Sequence, residues 1–135
     1  MRRVGIMLGL TFAFGIALGA VRSQFLNAQQ PSIKRTEILK TDMAGMEGKV
    51  AHMWIAEIAP GTATGKHSHP TPRFVYVMEG TVILEVEGKP PQTIKAGEGF
   101  QEMPDTVHNF RNASTTEPAK ALGFQIVGKR QPLQY

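Results

Sequence analysis

The stretch Gly61-Thr-Ala-Thr-Gly-Lys-His67-Ser-His69-Pro-Thr-Pro-Arg73-Phe-Val-Tyr-Val-Met-Glu-Gly80 decides how this chain is read. Its first part is broken by Gly and Pro, which punctuate rather than build regular structure. Its second part, from Arg73, is a short β-branched and aromatic run closed by Glu-Gly. The same alternation of run and break extends in both directions. Strands are predicted at 33–40, 49–59, 73–79, 81–87, 92–95, 99–103, 107–112 and 119–127, with no long stretch of 3.6-residue periodicity. The prolines cluster in the breaks, where a missing N–H costs no ladder bond. Eight short strands with tight turns predict one antiparallel all-β domain, as a sandwich, jelly roll or barrel, since such folds dispose of exposed edges.

Within the quoted stretch, His67 and His69 are separated by one residue. In extended backbone, i and i+2 side chains share a face, so both imidazoles can reach one ion. A third must come from a neighbouring strand, and His108 opens a predicted strand about forty residues on. The chain has no cysteine, which removes disulfides, thiolate ligands and a cysteine nucleophile. Three imidazoles with open positions suit Fe(II), Mn(II), Ni(II), Cu(II) or Zn(II), and spacing does not choose among them.

The letters around these histidines resemble the cupin family. The first cupin motif runs Gly, five residues, His-x-His, three or four residues, Glu, six residues, Gly. Gly61, His67, His69 and Gly80 fall in register with it. The second motif runs Gly, five residues, Pro-x-Gly, two residues, His, three residues, Asn. It is matched by Gly97-Glu-Gly-Phe-Gln-Glu-Met103-Pro104-Asp105-Thr-Val-His108-Asn-Phe-Arg-Asn112. Here Met103 and Asp105 replace the family Pro and Gly, and Asp is among the residues that best tolerate a left-handed turn position. The resemblance implies a double-stranded β-helix, or jelly-roll barrel, over residues 37–130. Residues 29–36 form a short tail and first strand, and 131–135 a C-terminal tail. It also implies a divalent first-row metal held by His67, His69 and His108.

One position departs from the pattern. Where the family usually carries a carboxylate ligand this chain has Arg73, whose guanidinium stays protonated and cannot coordinate a cation. Three arrangements follow. The centre holds its metal on three histidines alone, the arrangement we favour; or Glu57, Gln101 or Glu102 substitutes for the missing carboxylate; or the metal is lost. If Arg73 faces the pocket, it offers a fork to an anion, which makes it a candidate catalytic contact. His52, Trp54, Phe100 and Phe124 are candidate pocket-lining residues, with His52 favoured as structural. Phe74, Tyr76 and Met78 share the face opposite Arg73 and are assigned to sheet packing or a subunit interface. Asn112 is assigned to holding a turn.

Charge adds the cellular context. The formal net charge is +4, but Arg2, Arg3 and Arg22 lie in the first 28 residues, which contain no acidic side chain. The remainder is almost neutral and lacks a basic cluster, so no nucleic-acid partner is expected. Residues 1–28 read as a signal peptide, with a basic start and an uncharged stretch from Val4 to Val21. The alternative is an uncleaved N-terminal anchor, which would be the only membrane contact. The expectation is therefore an exported, periplasmic, metal-binding cupin, homodimeric, acting on a small organic molecule. Three-histidine dioxygenase chemistry is the first guess, with isomerase or lyase chemistry open. The alternative is a non-catalytic module that binds a small ligand or a metal.

Overall fold

Ala119–Gly128, the last strand, alternates buried and half-buried side chains at every residue, and the rest of the domain is arranged about it. In the computed structural model, which describes residues 32–135, it is β8 of eight strands. The others are β1 (Ile33–Asp42), β2 (Lys49–Ile58), β3 (Arg73–Glu79), β4 (Thr81–Val86), β5 (Gln92–Lys95), β6 (Gly99–Glu102) and β7 (His108–Asn112). All eight sit where the sequence predicts them, within one or two residues at each end. The leader predicted over 1–28 lies outside the described residues.

The strands form two antiparallel sheets, one of five strands in the order β1-β2-β8-β3-β6 and one of three in the order β5-β4-β7. Between them lies a core of Trp54, Ala56, Ile58, Val75, Val77, Val82, Leu84, Ile94, Phe110, Ala119 and Ala121. Period-two alternation supplies this core: on β2, β3 and β8 every second residue turns inward. This all-β arrangement is the double-stranded β-helix, or jelly roll, expected from the sequence.

Two details fix the end of the barrel that matters below. The segment between β2 and β3 is not a regular strand, yet Ala63 and His67 bridge Arg111 and His108, so it runs alongside β7. Asn112 closes the opposite end of that strand. Its Nδ2 donates to the carbonyls of Ile58, Ala59 and Glu117, and its Oδ1 accepts from Ser114 N–H, so one buried amide ties the β2–β3 and β7–β8 connections. This is the turn-holding role assigned to Asn112.

The outer face of the five-stranded sheet is apolar. Phe74, Tyr76 and Met78 are exposed there, and Phe124 lies across from Phe74 with ring centroids 6.3 Å apart. Phe124 is therefore not a pocket residue. On β8 the inward positions are 119, 121, 123, 125 and 127, and the even-numbered residue points away.

Candidate metal centre

His67 and His108 face each other as a hydrogen-bonded cross-strand pair, His67 N–H to His108 O at 2.9 Å and His108 N–H to His67 O at 3.0 Å. Such a pair places both side chains on one face. His69, two residues on, joins them, and its carbonyl accepts the Asp105 N–H at 2.8 Å. That contact depends on the turn before β7, where Asp105 has φ 52°, the positive value anticipated for the position occupied by Gly in the family pattern. One nitrogen from each ring lies within 4.8 Å of the others, and all three residues are buried.

The rings are also held in one protonation pattern. His67 Nδ1 is 2.9 Å from the Gly65 carbonyl, and His108 Nδ1 is 2.8 Å from the Thr106 carbonyl. A carbonyl only accepts, so each Nδ1 carries a hydrogen and each Nε2 is turned to the interior. Carbonyl-anchored imidazoles of this kind orient metal ligands.

A carboxylate enters from the strand opposite Arg73. Glu102 is buried, with Oε2 3.1 Å from His69 Nε2 and Oε1 3.5 Å from His108 Nε2. Arg73 and Glu102 are register partners on β3 and β6, with Arg73 Nη1 3.7 Å from Glu102 Oε2. Burial alone would raise the Glu102 carboxyl. The contacts with His108 and His69 and the Arg73 charge overcome it and hold the group down to about 2, so it is a carboxylate at neutral pH. Burial lowers His67. It also works against the charged form of His108, but there Glu102 prevails and raises the group.

Whether these residues fit a metal can be judged from their unsatisfied atoms. His67 Nε2, His69 Nε2, His108 Nε2 and Glu102 Oε2 are all buried without an aligned hydrogen-bond partner among the described residues. Glu102 stands beside two of the rings, 3.1 Å from His69 Nε2 and 3.5 Å from His108 Nε2, while the three ring nitrogens lie within 4.8 Å of one another. Buried ring nitrogens left this way cost free energy, and one cation would satisfy them together. Three imidazole nitrogens make a donor set suited to a divalent first-row ion. The residues fit.

A family model for the Cupin domain matches residues 54–124. The chain is a cupin.

Among solved structures, a cupin-like protein of Thermotoga maritima is 21% identical over 75% of this chain and 78% of its own, with a TM-score of 0.60. A cupin domain of Bordetella pertussis is 22% identical over 73% of this chain and 96% of its own, TM-score 0.57. The DMSP lyase DddQ of Ruegeria pomeroyi is 17% identical over 76% of this chain and 50% of its own, TM-score 0.59. At these identities the likeness is one of fold. No curated protein matches the chain at a significant level.

This cupin distributes the remaining candidate residues unequally. Arg73 is inward and only 5% exposed. Its Nε and Nη2 donate to Gln125 Oε1 at 3.2 and 3.1 Å, and Nη2 also donates to the Leu133 carbonyl at 3.0 Å. The guanidinium lies 5.0 Å over the Trp54 ring. Burial lowers its pKa to about 10, so it remains charged at neutral pH. Its donors are thus spent largely on the protein. Of the substitute ligands, Glu57 is on the outer face paired with Lys34 at 3.2 Å, and Gln101 is exposed. Both are one residue out of phase with the interior, which leaves Glu102. The side chains whose ligand atoms lie together are His67, His69 and His108, the favoured three-histidine cluster, with Glu102 beside it.

Trp54 walls the interior, while Phe100 packs on Phe110 at 5.8 Å as part of the core. His52 is buried, its Nδ1 3.2 Å from Glu37 Oε2 on β1. Two residues went unnoticed in the sequence. Gln125 is fully buried, and its Nε2 donates to Thr71 Oγ1 and the Leu133 carbonyl. A lone amide among the small and apolar inward positions of β8 was the available signal. Arg35 is the other. Its strand is exposed almost throughout, so no alternation marks its inward side.

Proposed function

We propose that this cupin is an exported, periplasmic, metal-dependent enzyme acting on a small organic molecule, with oxygenase chemistry as its reaction class. His67, His69 and His108 are the ligands, and Glu102 completes the set. The observation that carries this reading is the convergence of three unpaired, buried Nε2 atoms with one buried carboxylate. A bound first-row ion would supply Lewis acidity toward an oxygen or sulfur donor of the substrate and, as Fe(II), reactivity toward O₂.

The chain's own residues supply orientation and shelter. The Gly65 and Thr106 carbonyls keep two imidazoles turned with Nε2 inward. Arg73 keeps Glu102 ionised and in place, itself fixed by Gln125, Leu133 and Trp54. Beside His67 and Glu102 the barrel interior leaves only about 30 Å³, room for a group about the size of one water.

Export rests on the basic start and the uncharged stretch Val4 to Val21. Elemental analysis of protein taken from its native compartment tests the metal. About one first-row ion per chain is expected, lost in His67→Ala. Full metal content in that variant would refute the ligand assignment. Metal-loaded protein that neither consumes O₂ nor turns over any of a broad panel of enols, diketones and thiols would favour the binding-module reading.

A further inference from the structure

Arg35 lies opposite Ala56 on β2, with Ile33 opposite Ile58 and Glu37 opposite Trp54. Ala56, Trp54 and Ile58 all belong to the interior face, so register turns Arg35 toward the interior as well. Both clefts on this side of the barrel include it. The inner one contains Arg35, Trp54, Arg73, His67 and Glu102. The outer one, of about 260 Å³, is lined by Arg35, Glu37, Trp54, Arg73, Leu133 and Gln134. The two share Arg35, Trp54 and Arg73, so a molecule in the outer cleft reaches toward the metal centre past these three side chains.

The two guanidiniums differ in what they have left to offer. Arg73 gives three hydrogen bonds to the protein and turns its remaining nitrogen toward Glu102. Arg35 makes no side-chain hydrogen bond or ion pair among the described residues. The residue is exposed overall, although partial burial of its guanidinium lowers its pKa. Glu37, the carboxylate nearest to it along the strand, is engaged with His52. A guanidinium fork without a partner, facing a cleft, has its five donors available for a ligand.

We propose that Arg35 is the specificity-determining residue of this cleft and that the substrate is a small carboxylic acid. Its carboxylate sits on the Arg35 fork, and an oxygen or sulfur donor elsewhere in the molecule points to the histidine centre. The second half of this assignment rests on the metal-dependent activity proposed above; the first half does not. One planar fork matches one carboxylate through two parallel hydrogen bonds. A phosphate dianion is disfavoured, because Glu37 lines the outer cleft and Glu102 the inner one that adjoins it. The cleft is smaller than the roughly 300–1,000 Å³ of drug-sized sites, so the molecule is small.

The test uses the full chain loaded with Zn(II), and its metal-stripped form. A panel of small monocarboxylic acids, each matched with its neutral primary amide, is screened by ligand-detected NMR, with inorganic phosphate as a further probe. At least one acid should bind, and bind better than its amide by about tenfold to a hundredfold. Arg35→Gln should abolish that preference while keeping the metal content and melting temperature of the parent chain. Arg35→Lys should restore only part of it. The assignment is overturned if no acid is preferred to its amide, if Arg35→Gln retains the preference, or if phosphate outcompetes every acid. Loss of metal in Arg35→Gln would also overturn it, by making the residue part of the metal centre. If the acids bind the stripped protein equally well and Arg35→Gln alone removes the preference, Arg35 stands and the link to the metal fails.

Discussion

Replacing Arg73 with methionine should cost this domain a large share of its stability, although the new side chain is similar in length and suits a core. The guanidinium gives two hydrogen bonds to Gln125 Oε1 and one to the Leu133 carbonyl, lies against Trp54, and faces the buried Glu102 carboxylate at 3.7 Å. Methionine replaces the packing and none of the polar contacts. Glu102 would keep its two histidine neighbours but lose its only nearby fixed cation on β3, and Gln125 Oε1 would lose both of its donors. Removing one partner of a buried ion pair costs about 3–5 kcal/mol. A domain of this size has about 5–15 kcal/mol in total. Urea denaturation of chelator-treated protein should therefore show a loss of about 3–5 kcal/mol, with a fall in melting temperature of at least about 12 °C. Arg73→Lys keeps the charge but not the fork and should lose about 1–3 kcal/mol. The double replacement Arg73→Met with Glu102→Leu should be less destabilised than the two singles added, because it leaves no unpaired charge. If Arg73→Met falls within about 0.5 kcal/mol of the parent, the buried tie described here is wrong.

Two further outcomes follow from other contacts. A Cβ on Gly123 would land on Trp54 Cε2 and Cζ2, so Gly123→Ala must displace the chain's single tryptophan; we expect a loss of about 1–3 kcal/mol and a shifted fluorescence maximum, and an unchanged spectrum would contradict the packing. Glu85 titrates below 4.5, chiefly because Arg111 Nε donates to it at 2.7 Å, helped by Asn109. A depressed folded-state pKa contributes stability that is present above the unfolded value and is lost as pH falls through the folded one. Arg111→Ala should move the Glu85 carboxyl signal in an NMR pH titration upward toward 4.5 and weaken that acid-side loss. A titration that does not move would exclude Arg111 as the cause.

Much of the fold was legible because every strand announces itself by short-range chemistry. The Gly, Pro and Asn breaks fall between the runs, and the alternation in β3 and β8 separates Val75 and Val77 from Phe74 and Tyr76. The histidines were legible for a similar reason, since i and i+2 spacing holds in any extended segment, whether or not it belongs to a sheet. Parity failed where it had to be counted from an uncertain start. Phe124 looked like a pocket aromatic, but the inward set on β8 is odd-numbered, and only pairing with β2 and β3 shows which set is inside. Arg35 was beyond reach in a different way. β1 is exposed along nearly its whole length, so its inward side is defined by the partner across from it, which is non-local information.

The fate of the missing carboxylate joins these points. Read as a string, Arg73 removes the acidic ligand and leaves a centre with one more positive charge. In the sheet, position 73 is directly paired with Glu102 across the β3–β6 ladder, and both residues face inward. Cross-strand partners on one face have Cβ atoms about 4.5–5.5 Å apart, so a carboxylate can enter the same small volume from either strand. Here it enters from β6, and the guanidinium on β3 neutralises it from behind while Gln125 and Leu133 hold that guanidinium still. The Glu102 carboxylate is thereby compensated by Arg73, and the three-histidine cluster stands beside it without an acidic residue at 73. The substitution that seemed to argue against a metal is therefore compatible with the three-histidine cluster. With Arg73 committed to Glu102, the guanidinium left to meet a ligand in the proposed cleft is that of Arg35.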